Sequence, residues 1–367
     1  MLNAFSPNRD DPRTLVVLFL RGGADGLALV PPVGDDAYHR ARPRIAVTAH
    51  DAIHLDDRFG LNPRLAALEW LYREGQLAVV PACGSEDDTR SHFEAQDLME
   101  HGGAEVGGGW LGRWLRQRGS AGAGALTALA FGTAVPESLR GAPSATALRA
   151  FSDLGLGAAA ERLTQQLGPL YAGDVMLADA ARDALDALNR LASLHESNYQ
   201  PANGAVYGND DLALELRRLA QLLKADLGLE AACLDVPGWD THFLQGTSME
   251  PLMARLASGL SALATDLGSR LASTSIVVMT EFGRRVQENS SLGTDHGRGS
   301  VMLVLGGGVQ GGVHGRWPGL ADDALVGPGD VPVAQNFRDV LAAVLARHGD
   351  FRADVVFPGY RVDPIPV

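Results

Sequence analysis

Residues 275–314 read S-I-V-V-M-T-E-F-G-R-R-V-Q-E-N-S-S-L-G-T-D-H-G-R-G-S-V-M-L-V-L-G-G-G-V-Q-G-G-V-H. The run Ser275 to Met279 is short, apolar and rich in β-branched residues, so it reads as a buried strand. It stops at Thr280-Glu281. A polar turn with Asp295-His296 between glycines follows, and then a second apolar run, Val301 to Leu305. Ligands of open α/β sheets bind beyond the carboxyl ends of the strands. Glu281 falls at such an end, and Asp295 and His296 can fold back over it. The plainer reading of the same residues is a tight turn closed by an Asx-type bond from Asp295.

The same grammar recurs outward from this stretch. Leu15 to Leu20 (L-V-V-L-F-L) is continuous and apolar, like a strand buried on both faces. It runs into R-G-G-A-D-G, whose glycines allow close approach of a ligand and which puts Asp25 at a strand end. Ala231 to Val236 is another strand, leading into P-G-W-D-T-H with Asp240 and His242. Leu77 to Pro81 is another, leading into G-S-E-D-D-T-R-S-H-F-E-A-Q-D. There Ser91 and Glu94 form a capping box, so a helix starts at Ser91. A helix start suits an anion or an activated oxygen nucleophile, although a serine there can simply cap. Helical spacing marks Arg64 to Glu74, Trp110 to Arg118, Pro251 to Leu267 and Val340 to His348. From about 145 to 228 the pattern is helical, with a stripe from Leu177 to Leu191 and another from Leu212 to Leu223. Strands alternating with helices define an α/β protein with a largely parallel central sheet flanked by helices. The expectation is one domain over residues 1–367 with 145–228 as a helical insertion.

Bulk properties narrow the function. The chain has 367 residues, 46% hydrophobic and 20% charged, the profile of a globular protein with ample core. A net charge of −13 disfavours nucleic acid as a partner. Two distant cysteines, Cys83 and Cys233, imply no disulfide framework. No apolar run approaches the ~20 residues of a membrane span. The N-terminus has no signal-peptide pattern, so the chain as it stands reads as cytoplasmic, or as exported and periplasmic if a leader has been removed. Neither a nucleophile elbow of the G-x-S-x-G type nor a P-loop is present.

The polar clusters at the strand ends hold Asp25, Asp240 with His242, Glu281, and Asp295 with His296. Carboxylates mixed with imidazoles suit a divalent metal such as zinc, manganese, magnesium or iron better than a soft-metal site. Asp240 and His242 share one loop after a strand, which suits two ligands on one metal.

The motifs R-G-G-A-D-G-L, D-D-R-F-G-L-N-P, T-R-S-H-F-E-A-Q, G-W-D-T-H, M-T-E-F-G-R and G-T-D-H-G-R-G run over nearly the whole chain. Together they resemble a bacterial domain-of-unknown-function family grouped with the alkaline-phosphatase and sulfatase superfamily, many of whose members carry a twin-arginine export leader. The resemblance implies an alkaline-phosphatase-like fold and a metal-dependent hydrolase acting on a small anionic ester, phosphate or sulfate. It implies Asp25 as a first-strand metal ligand and Ser91, or else Thr89, as the nucleophile. Asp240 and His242 would bind the other metal, with Glu281 and His296 completing the sites. In a second alignment Asp295-His296 is the Asp-His pair and His314 the late histidine ligand. Arg90 or Arg298 would hold the substrate's oxygens, arginine's planar fork matching such anions.

The chain departs from the superfamily at Phe282, which takes the place of a metal-binding histidine and cannot coordinate. One tightly held transition metal, zinc or manganese, is therefore expected, with any second metal hard, magnesium or calcium. Two rivals stand beside the hydrolase. One is a degenerate member that binds a ligand or partner protein without turnover. The other is a mononuclear metalloenzyme of different chemistry. The sequence leaves the oligomeric state open.

Overall fold

The structure, a computed structural model, describes residues 13–119, 124, 126–150, 194, 198–349 and 351–367. Its strands are β1 (Thr14–Leu20), β2 (Ile53–His54), β3 (Gly60–Leu61), β4 (Leu77–Gly84), β5 (Ala128–Phe131), β6 (Thr146–Leu148), β7 (Ala231–Val236), β8 (Thr274–Met279), β9 (Ser300–Gly306), β10 (Gly312–Val313) and β11 (Gln335–Asn336). β2 and β3 pair apart from the rest. The others form one sheet in the order β10-β4-β9-β8-β1-β7-β5-β6, with β11 also on β4. Only the pairs β4–β9 and β8–β9 are antiparallel; the other described pairs of the sheet are parallel. The α/β class with a largely parallel sheet is thus the observed architecture.

The continuous apolar run of β1 follows from burial on both faces. Val16, Leu18 and Leu20 join a core with Leu256, Leu260 and Leu263 of the helix Gln245–Leu267. Leu15, Val17 and Phe19 join a second core with Trp110, Trp114, Val340 and Leu341 from two helices on the opposite face.

The direction of β9 matters most for function. β4, β8, β1 and β7 all end at one edge, and β9, being antiparallel, begins there. The loop 280–299 therefore never leaves that edge, and Glu281 and His296 stay on one side of the sheet.

Several expected boundaries shift. The segment 145–228 opens with β6, which pairs with β5 in the main sheet, because Leu148 packs into the core as a strand residue. Its later part holds the helix Asp211–Lys224, with Leu216 and Leu219 fully buried as the stripe required. The stripe Leu177–Leu191 lies outside the described residues. Residues 63–73 split into a 3₁₀ turn, Pro63–Leu68, and a short helix, Glu69–Arg73. The helix expected from Pro251 begins at Gln245, so its proline is interior. Leu244, left-handed at φ 44°, forms that helix's N-cap. Among the described residues no helix is long and apolar enough to cross a membrane.

His348, at the end of the helix Phe337–Ala346, gives the fold a pH signature. Burial, aided by the nearby Arg118 guanidinium, pushes its imidazole down to about 3. Its ordinary value is 6.5, so the unfolded chain takes up this proton first as pH falls. Stability at this site is complete above 6.5 and is lost progressively toward 3, on the order of 5 kcal/mol over the window. His348→Leu should flatten the acid limb of a stability-versus-pH curve measured by denaturant titration. An unchanged acid limb would remove His348 from that account.

Candidate metal centre

Three strand exits and one helix build the site. β7 ends at Val236, and the chain turns through the fully buried Trp239 to present Asp240. β8 ends at Met279 and delivers Thr280 and Glu281. β4 ends at Gly84, and its continuation reaches the helix His92–His101, which places His92 and Gln96 one turn apart on one face. The loop into β9 supplies His296.

The glycines after β1 serve packing, contrary to the expectation that they admit a ligand. A Cβ on Gly22 would lie 2.5 Å from the Asp240 backbone nitrogen, and one on Gly23 would lie 2.4 Å from the Phe282 ring. Their φ values of 120° and 64° add a conformational requirement for glycine. β1 thereby lets the Asp240 loop and Phe282 close over it.

Among the described residues, the ligand atoms of His92, Asp240 and His296 all lie within 4.8 Å of one another. Asp240 is the hub. Its Oδ1 is 3.2 Å from His296 Nε2 and 3.0 Å from His242 Nε2, and its Oδ2 is 3.5 Å from His92 Nε2. His242 Nε2 and His296 Nε2 are 2.9 Å apart.

Each of the three rings has an acceptor on its other nitrogen. His92 Nδ1 donates to Glu281 Oε1 at 2.8 Å, and His296 Nδ1 donates to the Arg90 carbonyl at 3.0 Å. His242 Nδ1 faces Asp295 Oδ1 at 3.5 Å. Because a carboxylate and a carbonyl only accept, the protons of His92 and His296 are assigned to Nδ1, and Nε2 becomes the metal-facing atom. His92 Nε2 is buried without a hydrogen-bond partner among the described residues. An orphaned imidazole nitrogen aimed at a carboxylate and a second imidazole fits a divalent cation, and a carboxylate behind the first imidazole is the usual support for such a ligand.

The electrostatics favour ligation at Asp240 and His296 and oppose it at His92, whose raised imidazole takes a second proton more readily. Burial works to raise the Asp240 carboxyl, but the Arg284 guanidinium bonded to Oδ1, with the His296 and His242 imidazoles beside it, overcomes burial and holds the group at about 2. The hydrogen bond to Glu281 raises the His92 imidazole against the opposing effect of burial. For Glu281 burial is again overcome, here by donors from His92 and Gln96, and the carboxyl is held at about 2. His296 is lowered, chiefly by burial, which favours the neutral ring that a metal needs. Asp240 is 47% exposed, so the centre opens to solvent on that side.

The structure brings together Asp240, His242 and His296, with Asp295 beside His242. It does not bring Asp25 to them. Asp25 is fully buried, paired with Arg42 at 2.5 and 3.1 Å, and accepts from Leu27 N and Gln245 Nε2. Its oxygens are committed to that ion pair, which corrects its expected place as a ligand. Glu281 likewise is not among the converging ligand atoms, because its carboxylate is engaged by donors. Its Oε1 accepts from His92, Gln96 and Gly22 N, and its Oε2 from Thr280. His314 follows the edge strand β10, three strands from β8, and bonds the Gln310 carbonyl at 2.6 Å.

Ser91 is the N-cap of its helix, directly before His92, but its side chain makes no capping bond, so the capping box is not formed. Thr89 donates its hydroxyl to Asp87 and accepts from Ser91 N. Arg90 pairs with Asp330, and Arg298 bonds the Glu86 carbonyl at 3.2 Å, so neither guanidinium is directed at the cluster by these contacts.

Sequence reasoning passed over His92, Gln96 and Arg284, although all three stand inside the motifs it singled out. The His-x-x-x-Gln spacing on a helix start was the available signal for the first two. Arg284 was hidden by its role. Its buried guanidinium bonds Asp240 Oδ1 at 2.7 Å while spanning the carbonyls of Gly22, Gly23 and Thr294. Phe282 packs against the rings of His92 and His296, with centroids 4.8 Å from each, and so forms a wall of the centre.

An α/β protein with a cluster of histidines and an aspartate at the carboxyl edge of its sheet, three of which could hold a metal ion, is the class these observations define. Residues 158–353, more than half of the chain, match the sequence family described as "Protein of unknown function (DUF1501)", and the chain belongs to that family. No curated protein matches it.

Among solved structures, the zinc complex of the C-terminal periplasmic domain of EcEptC from Escherichia coli is similar at 11% identity, TM-score 0.37, over 82% of this chain and 74% of that one. A protein of the alkaline phosphatase superfamily from Vibrio parahaemolyticus is similar at 10% identity, TM-score 0.35, over 83% and 62%. The PsFucS1 sulfatase from Pseudoalteromonas sp. is similar at 12% identity, TM-score 0.41, over 94% and 70%. At such identities and scores these likenesses carry no weight on activity.

Proposed function

We propose that the protein is a metal-dependent hydrolase of phosphate or sulfate esters that works with one divalent metal, zinc or manganese, held by His92, Asp240 and His296. The observation that carries this reading is the convergence of imidazole Nε2 atoms on Asp240 while each Nδ1 faces an acceptor. The ester class comes from the motif resemblance. When bound there, the cation supplies Lewis acidity to an ester oxygen.

The chain's own residues divide the remaining work. Glu281 keeps the His92 proton on Nδ1, and the Arg90 carbonyl does the same for His296. Arg284 keeps Asp240 ionised. Ser91, next to His92 and free of a capping bond, is the nucleophile of choice over Thr89, whose hydroxyl is engaged with Asp87. Its helix start favours the developing anion.

A panel of phosphomonoesters, phosphodiesters and sulfate esters, run on zinc- and manganese-loaded protein, tests this. Turnover that is lost on chelation supports it, and Ser91→Ala should then reduce turnover by orders of magnitude while leaving metal content intact. Bound metal with no turnover on any ester would sink it.

One observation favours the non-catalytic rival. His242 Nε2 also reaches Asp240 and His296, and a fourth protein ligand would close a tetrahedral site. Loss of bound zinc in His242→Ala, together with no ester turnover by the wild type, would favour that rival.

A further inference from the structure

The turn Val326–Asp330 (V-G-P-G-D) belongs to no motif that pointed to function, yet its last residue bonds Arg90, whose carbonyl meets His296. It is closed on itself by Val326 N to the Asp330 carbonyl at 3.0 Å and Asp330 N to the Val326 carbonyl at 2.9 Å. Asp330 is fully buried. Its Oδ2 accepts from Arg90 Nε at 3.0 Å and Arg90 Nη2 at 2.5 Å.

Arg90 is held at φ 58°, a left-handed backbone that a long side chain rarely adopts. Such a conformation persists only where the surroundings enforce it. The carbonyl of this residue receives the Nδ1 proton of His296 at 3.0 Å. The same turn grips the other half of the site. Asp330 forms an isolated antiparallel bridge with Arg285, and Val286 N donates to the Gly329 carbonyl at 3.0 Å. These residues directly follow Arg284, which holds Asp240.

We propose that Asp330 is a positioning residue for the candidate metal centre. By pairing with Arg90 it fixes the strained Arg90 backbone, whose carbonyl locks His296 as the Nδ1–H tautomer with Nε2 turned toward Asp240. The effect on metal affinity rests on the reading given under Proposed function; the effect on the tautomer does not. The Asp330 side chain acts on the centre only through Arg90 and His296; the backbone bridge from Asp330 to Arg285 is separate and is kept in Asp330→Asn.

Gly327 supplies an independent handle. A Cβ there would lie 2.7 Å from Arg90 Nη2 and 3.5 Å from Asp330 Oδ2. Gly327→Ala therefore pushes on the pair without removing a charge or a hydrogen-bonding group.

The test combines two measurements on the full chain. The first is the ¹⁵N spectrum of histidine-labelled, metal-free protein at a pH where the ring is neutral. The second is zinc affinity by competition with a chromophoric chelator. The wild type should show His296 as a single Nδ1–H tautomer, and Asp330→Asn should mix the tautomers. Zinc affinity should fall roughly 10–100-fold, the usual loss when a ligating histidine loses its support. In a His296→Ala background, Asp330→Asn should make no further difference, because an effect carried only by His296 cannot outlast it. Gly327→Ala should move both readings in the same direction, and it decides the matter if Asp330→Asn does not fold.

An unchanged tautomer in the variants would overturn the proposal. So would an equal loss of zinc affinity with and without His296, the mark of a merely structural role. A wild type that takes up no zinc but loses its tautomer in the variants would uphold the positioning role and sink the metal reading instead.

Discussion

His92→Ala is expected to strip the centre of its tight metal, lowering zinc affinity by well over the roughly 10–100-fold that loss of a supporting partner costs. The reason is geometric. His92 Nε2 is a buried nitrogen with no hydrogen-bond partner among the described residues, 3.5 Å from Asp240 and held in place by Glu281. Removing the ring deletes one donor from the only group of converging His and Asp atoms among the described residues. Glu281→Gln keeps the shape but weakens the acceptor for Nδ1, so its loss should fall within the smaller, supporting range. The ordering is the informative part. His92→Ala should lose most, Glu281→Gln less, and Ser91→Ala nothing, all read by chelator competition. Glu281→Gln losing more than His92→Ala would make Glu281 the ligand.

Asp25→Ala should behave in the opposite way, with a large loss of stability and zinc affinity close to that of the wild type. Asp25 and Arg42 are both fully buried and bonded through two nitrogens. Arg42 also reaches the carbonyls of Val286 and Arg285, so it stays buried when its partner goes. Leaving one member of a buried pair uncompensated costs on the order of 3–5 kcal/mol. The thermal midpoint should drop by roughly 5 °C. Asp25→Ala that released zinc at unchanged stability would restore Asp25 to the ligand set.

Asp25 also shows where the sequence stops being readable. Its position after β1 is visible in R-G-G-A-D-G, because an apolar run followed by glycines marks a strand end. Its partner is not visible, because Arg42 lies 17 residues on, in a stretch without periodicity. The strands of the sheet's centre were legible for the same reason that they are buried on both faces, namely that their apolar runs are unbroken. Asp240 and His242 were legible as candidates because polar residues right after such runs have few structural uses, and His296 because it sits in a polar turn between two such runs. His92 was harder. It stands next to a serine that fits a capping pattern, and the cap reading absorbed the whole segment, yet the structure shows Ser91 making no such bond. Arg284 and Asp330 belong to a further class, since their work is done on backbone carbonyls and on other side chains across long sequence separations, which no spacing rule encodes.

The direction of β9 belongs there too. The two apolar runs flanking 280–299 do not state whether their strands are parallel or antiparallel. Only pairing of β9 against both β4 and β8 keeps Glu281 and His296 on one edge. Phe282 was read as a residue that cannot bind metal. Its consequence is clearer in space, where the ring fills the volume beside His92 and His296 and presses on Gly23.

The central claim is one divalent metal bound by imidazole nitrogens and the Asp240 carboxylate. X-ray absorption at the metal edge, taken with elemental analysis of the same gently purified sample, addresses it directly. The account predicts one equivalent of zinc or manganese per chain, a first shell containing at least two imidazoles, and the same number of imidazoles in His242→Ala. Two stoichiometric metals, a shell of oxygens alone, or protein that takes up no metal on reconstitution would contradict it.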